Sequence, residues 1–168
     1  MKPNRRAQEV RWLLQEKYSG RATLQAKQDM ERLFRGEHVD YLIGFVKFLG
    51  CRIDLSYKPF LPRPETEYWT QQAIEDMVRF LAQRSKGKKR IHCLDMFAGS
   101  GCIGIAVLKY IPSTLVDFAE RDKRFLKQIL LNIRINNTEE GRYRLFCSDV
   151  FSGIPSNQSY DFVFANPP

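Results

Sequence analysis

Arg90-Ile91-His92-Cys93-Leu94-Asp95-Met96 is an apolar run that passes directly into Phe97-Ala98-Gly99-Ser100-Gly101 and then into a helix-forming stretch, Cys102–Tyr110. A strand, a glycine loop and a helix in that order begin a βα unit. The alternation continues outward. Strands are predicted at Leu115–Ala119, Tyr143–Cys147 and Tyr160–Ala165, and a second helix at Lys123–Ile135. Strand–helix alternation implies a parallel sheet joined by right-handed crossovers. The expected fold class is therefore α/β, with about four parallel strands.

Working back from the sheet, Ser85-Lys86-Gly87-Lys88-Lys89 reads as a polar, basic linker, and Tyr68–Arg84 as a helix with Ile74, Met77, Val78 and Leu81 inward. Before it, Pro59, Pro62 and Pro64 predict a stiff irregular loop as far as Glu67. Cys51, Ile53 and Leu55 alternate with polar residues, and Leu49-Gly50 offers a turn, so Tyr41–Leu55 reads as a β-hairpin. The N-terminus predicts two helices, Pro3–Tyr18 and Thr23–Arg35. Thr23 is the expected N-cap, Gly36 the stop, and Ala26, Met30, Leu33 and Phe34 the apolar face.

Composition excludes several classes. The 168 residues are 43% hydrophobic and 27% charged, ordinary for a globular protein. Cys51, Cys93, Cys102 and Cys147 are scattered without a CxxC pair, and His38 and His92 have no metal-ligand spacing to them. Buried reduced thiols suit a reducing compartment, and a cytoplasmic location is expected. No apolar stretch approaches the ~20 residues that span a membrane. The basic N-terminus lacks a secretory apolar core, and Glu9 and Glu16 count against a mitochondrial presequence. A net charge of +8 suits an acidic partner such as RNA, a ribonucleoprotein or an acidic protein; a solvated surface explains it equally well.

The glycine loop carries chemistry. Gly99 and Gly101 let the backbone turn sharply and approach a ligand without a Cβ in the way. The first amides of the next helix are free to donate. Glu120 ends the following strand, where a carboxylate can accept from ribose hydroxyls. Gly99-x-Gly101-x-x-Gly104 also matches the dinucleotide fingerprint, but Asp95 would repel a pyrophosphate, whereas it can face the ammonium of S-adenosyl-L-methionine. Asp149, with the Val150 amide, is the expected adenine contact; a cap or turn is its other common role.

Asn166-Pro167-Pro168 completes the pattern. An amide or aryl amine is a poor nucleophile because its lone pair is delocalised. Two stiffly held acceptors, the Asn166 side-chain oxygen and the Pro167 carbonyl, can grip both N–H groups and aim the nitrogen at a sulfonium methyl. A dehydrogenase has no use for such a motif. The residues together predict an enzyme that methylates an amide or exocyclic amine.

These pieces resemble the HemK/PrmC family of peptide chain release factor N5-glutamine methyltransferases from about Arg35 to Pro168. They come in the family's order: Arg35-Gly36-Glu37, Tyr41-Leu42-Ile43-Gly44, Leu61-Pro62-Arg63-Pro64-Glu65-Thr66-Glu67, Asp95 to Gly101, Glu120, Ser148-Asp149 and Asn166-Pro167-Pro168. The resemblance implies a Rossmann-like class I methyltransferase sheet preceded by a small helical domain and a β-hairpin. The expected domains are residues 1–40 (helical), 41–58 (hairpin linker) and 59–168 (methyltransferase domain, truncated after Asn-Pro-Pro).

The activity implied is transfer of a methyl group from S-adenosyl-L-methionine to the glutamine of a release factor's Gly-Gly-Gln motif; the weak RNA or ribosome contact that is also expected comes from the +8 charge, not from the resemblance. Asp95, Phe97, Ala98, Gly99, Ser100, Gly101, Glu120, Asp149, Val150 and Asn166 would contact the cofactor. Asn166 and Pro167 would carry the catalysis, and Arg63, Glu65 and Pro168 would border the substrate. No metal is expected. Phe97 stands where the family usually has glycine, as in enzymes methylating adenine or cytosine in RNA or DNA, which is the alternative reading; an inactive fragment is a third. The family continues beyond Asn-Pro-Pro with an aromatic residue and three strands, so the isolated chain is expected to be weakly active or inactive.

Overall fold

The computed structural model describes residues 5–83 and 90–167. The predicted basic linker 85–89 and Pro168 lie outside the described residues. Two compact units divide the chain, Met1–Val46 and Lys47–Pro168.

The first unit holds α1 (Arg5–Tyr18), α2 (Leu24–Phe34) and α3 (Val39–Ile43). Thr23 caps α2 as its sequence position suggests, its hydroxyl accepting from the Ala26 amide at 3.1 Å. Leu13, Leu33, Val39 and Leu42 form the core, with Val10, Tyr18, Met30 and Ile43 packed against them. Phe34 is 60% exposed rather than part of that face. The charge inside this unit is compensated. Asp29 is fully buried and accepts from Lys17 Nζ (2.7 Å), the Tyr18 hydroxyl (2.6 Å) and Arg32 Nη1 (2.9 Å). Burial works to raise its carboxyl, but these hydrogen bonds and the Lys17 and Arg32 charges hold it below the usual range.

Two expectations change at the junction. Residues from Tyr41 are not yet hairpin, because α3 runs to Ile43 and Gly44 closes it with φ +92°. The hairpin proper is β1 (Phe45–Phe48) and β2 (Cys51–Asp54), turning at Leu49-Gly50, both with positive φ. The proline-rich stretch is also shorter than expected. α4 spans Pro64–Gln83, so Pro64-Glu65-Thr66-Glu67 is its first turn. Proline suits the first helical position, where its missing N–H costs nothing, and the two glutamates favour the helix's positive end. Within α4, Ile74 and Met77 are buried, but Val78 is half exposed.

The α/β expectation holds. β3 (Ile91–Met96), α5 (Cys102–Tyr110), β4 (Thr114–Glu120), α6 (Lys123–Ile135), β5 (Tyr143–Cys147) and β6 (Phe162–Ala165) build a sheet of order β5-β4-β3-β6. All three pairings are parallel. α5 lies close on the sheet because Gly104 has no side chain: a Cβ there would meet Phe118 Cζ at 2.7 Å and Val116 Cγ1 at 2.9 Å. Arg142 closes α5 at its other end, donating from Nη2 to the carbonyls of Leu108 (2.9 Å) and Ile111 (2.8 Å).

A polar cluster sits across the strands. Asp117, 1% exposed, accepts from Arg144 Nε (2.8 Å), Arg144 Nη2 (2.7 Å) and the Tyr160 hydroxyl (2.9 Å), with His92 Nε2 3.0 Å away. β6 starts later than its apolar pattern suggests, because Asp161 is spent on His92: its amide donates to the His92 carbonyl and its carboxylate accepts from the His92 amide.

Candidate functional site

Strand register brings the predicted site together. Met96 pairs with Ala119 on one side and with Ala165 on the other. The next residue in each strand's direction is therefore Phe97, Glu120 and Asn166. The glycine loop, the acidic strand end and the Asn-Pro motif line the carboxyl edge of three adjacent strands. Glu120 in turn pairs with Cys147, which places Ser148, Asp149 and Val150 beside it. Ligands of open α/β sheets bind outside this edge.

The loop is held in a high-energy shape. Phe97, Gly99 and Gly101 have φ of +58°, +54° and +76°. Two of the three are glycine, which adopts such values without strain; for Phe97 they are costly. A Cβ on Gly99 would meet nothing nearer than the Phe97 carbonyl at 3.8 Å, so that side of the loop is open. Glu120 fastens the loop from the next strand: its carboxylate accepts from the Gly99 amide and the Asp122 amide, each at 2.9 Å.

Asp95 is placed differently from a simple ligand-facing carboxylate. It is 1% exposed, and its Oδ2 accepts from the Gly104 amide in the first turn of α5 at 2.9 Å. Its Oδ1 is buried without a hydrogen-bond partner. Burial pushes the carboxyl up to about 7; the Gly104 amide works against that and the Glu120 charge adds to it. Cys102, beside the loop, is no candidate nucleophile, because burial pushes its thiol up to about 12.

At the other end of the edge, Asn166 and Pro167 are exposed. Asn166 Nδ2 donates to Thr66 Oγ1 at 3.5 Å, which brings the first turn of α4 against the motif. Arg63, just before that turn, and Glu65, within it, are both exposed, and Arg63 lies 5.5 Å over the Phe60 ring. Trp69 stacks on Phe164 at 6.3 Å, fixing α4 over β6. Asp149 and Val150 are exposed, Val150 with φ +53°. Thr66 was not singled out from the sequence; a small hydroxyl between two glutamates is an ordinary helix start. Among the described residues no group of His, Cys, Asp and Glu could hold a metal ion, and no helix is long and apolar enough to cross a membrane.

The family model for the methyltransferase small domain matches residues 66–168, more than half of the chain. The chain belongs to the methyltransferase small domain family. Release factor glutamine methyltransferases are among the relatives of this family member. That of Rhodopirellula baltica is 30% identical over 139 residues, covering 83% of this chain and 45% of the relative. That of Bacteroides thetaiotaomicron is 31% identical over 140 residues, with 82% and 45% covered. The resemblance read from the sequence thus reappears in relatives bearing that name, and the chain spans about half the length of those it matches. Solved structures agree on the fold. yhhF from Escherichia coli gives a TM-score of 0.51 at 23% identity over 74% of this chain and 66% of that one. SMU.776, complexed with SAH, gives 0.54 at 14% identity over 74% and 32%. Both are described as candidate methyltransferases, and their likeness supports the Rossmann-like sheet.

Proposed function

We propose that the protein uses S-adenosyl-L-methionine to methylate the side-chain amide nitrogen of the glutamine in a release factor's Gly-Gly-Gln motif. The observation that carries this reading is the parallel register of β3 and β6, in which Asn166 and Phe97 follow a bonded pair of strand ends, Ala165 and Met96. A donor in the glycine loop and a planar amide at Asn166 would be neighbours. The names of the relatives supply the substrate class.

The residues present fit the cofactor. The partnerless Asp95 Oδ1 offers a buried acceptor for an ammonium. The open side of Gly99 admits a ligand against the backbone. Each Glu120 oxygen, engaged once by a loop amide, keeps a lone pair for a ribose hydroxyl. Asp149 and the Val150 amide would hold the adenine, and Phe97, Ala98, Ser100 and Gly101 would complete the cradle. When bound, S-adenosyl-L-methionine supplies a methyl group on a positively charged sulfur.

The chain's own contribution is orientation. Asn166 Oδ1 and the Pro167 carbonyl accept the two N–H groups of the glutamine amide. Because Thr66 Oγ1 takes the Asn166 amino group, the carbonyl end of that side chain is the one left to face substrate. Proline keeps the second acceptor from wandering. Holding both hydrogens draws electron density onto nitrogen and fixes its line of attack, a form of catalysis by position and by stabilising developing charge. The proton is released from nitrogen late, so no strongly basic side chain is called for. Arg63 and Glu65, at the N-terminus of α4, are placed to border the incoming peptide.

A single-turnover assay tests this: chain in excess, methyl-tritiated cofactor, and either a release factor or RNA and DNA. Slow labelling of the release factor glutamine is expected, detectable with the chain in excess even if the isolated chain is only weakly active. Label on nucleic acid instead would favour amino-methylation of adenine or cytosine, and no label on either would overturn the reading.

A further inference from the structure

The face of α6 that carries Ile129 and Ile133 also carries Gln128 and Asn132, and Asn136, which caps the C-terminus of the helix, continues this row of uncharged amides at helical spacing. Gln128 and Asn132 are fully buried. They complete the open edge of β2 as a row of side-chain amides in place of another strand. Gln128 Oε1 accepts from the Tyr57 amide at 2.9 Å. Asn132 Oδ1 accepts from the Asp54 amide at 2.8 Å, and its Nδ2 donates to the Asp54 carbonyl at 3.3 Å. Asn136 repeats this with Arg52, at 3.0 and 2.8 Å.

Asn132 and Asn136 thus make the same pair of bonds to the hairpin and differ in their third. Asn136 Nδ2 donates to the Asn132 carbonyl inside α6 at 2.8 Å. Asn132 Nδ2 donates to the Ser100 carbonyl in the glycine loop at 2.9 Å. The Ser100 carbonyl and the Gly101 amide belong to one peptide plane, and the Gly101 amide donates to the Ala98 carbonyl at 2.7 Å. Both ends of that plane are therefore pinned. Without Asn132 a carbonyl inside the fold loses its donor, which costs about 1–3 kcal/mol unless the plane turns to find another. A turned plane changes what the loop presents at its ligand side, in a segment already holding three residues at positive φ.

We propose that Asn132 is a positioning residue for the cofactor loop, joining it to the β-hairpin through one buried amide. The proposal deepens the cofactor reading above and rests on it for its binding arm alone. Its test compares Asn132→Ser with Asn136→Ser, which removes the same two hairpin bonds but none to the loop. Calorimetric titration with S-adenosylhomocysteine should show about tenfold weaker binding for Asn132→Ser and nearly unchanged binding for Asn136→Ser, with the larger loss in Tm for the fully buried Asn132. Equal affinities, or equal weakening by both, would reduce Asn132 to a hairpin strut and overturn the proposal. Hydrogen exchange of the Gly99 and Gly101 amides in the ligand-free chain reads the same point without a ligand. Asn132→Ser should speed their exchange about tenfold and Asn136→Ser should not; equal rates would overturn it too. If the wild-type chain bound no S-adenosylhomocysteine, the cofactor reading would fail while the exchange comparison would still decide the role of Asn132. Asn132→Leu, set against Asn136→Leu, keeps the approximate shape, adds no charge and loses the donor, and stands in if the serine variant does not fold.

Discussion

Replacing Asp95 by Asn should stabilise the ligand-free protein at pH 8 while weakening cofactor binding. In the folded chain the Asp95 carboxyl keeps its proton up to about 7, against an ordinary value of 3.8. Between those values the folded state binds more proton than the unfolded one, so on this group's account stability falls as pH rises from about 4 to about 7. A displacement of about three pH units is worth about 4 kcal/mol, fully felt at pH 8 and less than half felt at pH 5. Asn keeps an acceptor for the Gly104 amide and carries no charge to bury. It does put an N–H where Oδ1 now has no partner, at a pH-independent cost of about 1–3 kcal/mol. The absolute gain at pH 8 is therefore modest, but the difference between variant and wild type should widen by about 2.5 kcal/mol between pH 5 and pH 8. Urea denaturation at the two pH values measures it. A gap that stays constant, or widens in the opposite direction, would refute the placement of Asp95 as a buried, partnerless carboxyl. The same reasoning makes wild-type affinity for a cationic ligand rise with pH through about 7, as Asp95 ionises, a dependence that Asp95→Asn should lose.

Three further outcomes are expected. Gly104→Ala should destabilise the chain by about 2 kcal/mol, because the new methyl meets the Phe118 ring and Val116 with nowhere to move; an unchanged urea midpoint would contradict the close approach of α5. Asp117→Asn should cost about 1–2 kcal/mol in the same assay, since it weakens the bonds that Arg144 and Tyr160 make to a buried acceptor while half-exposed Arg144 keeps its water; an unchanged urea midpoint would mean these bonds contribute nothing. Asn166→Ala should lower the rate of methyl transfer about a hundredfold while weakening S-adenosylhomocysteine binding only a few-fold; the reverse split would move Asn166 from the amide to the cofactor.

Elements with strong periodicity were legible. α5, α6 and β5 occupy the residues their apolar spacing marks out. What misled was local chemistry with two meanings. Pro64 reads as a breaker, yet at the first helical position it starts α4. Residues 41–43 are as apolar as a strand, and only Gly44 at φ +92° shows that a helical turn ends there. Phe34 and Val78 fit the apolar stripes and still face outward, because a stripe gives direction and not the width of what covers it.

For the candidate site, the position of each residue along the chain was readable and its burial was not. Asp95, Glu120 and Asn166 all come to the carboxyl edge, as a βα pattern dictates. That Asp95 ties α5 to β3 through the Gly104 amide, and that Glu120 holds its own loop before any ligand, are facts of packing. The amide row of α6 left a trace in the sequence: three carboxamides at i, i+4 and i+8 on an otherwise apolar face. Such groups are expensive to bury unless something accepts and donates to them, and what does so is 78 residues away for Asn132 and Asp54.

Hydrogen–deuterium exchange with and without S-adenosylhomocysteine bears most directly on the shared edge of glycine loop and Asn-Pro motif. Protection is expected together at Phe97–Gly101 and at Ala165–Asn166, with the far ends of the strands unaffected. Protection confined to the loop, or none at either segment, would contradict a ligand lying between them.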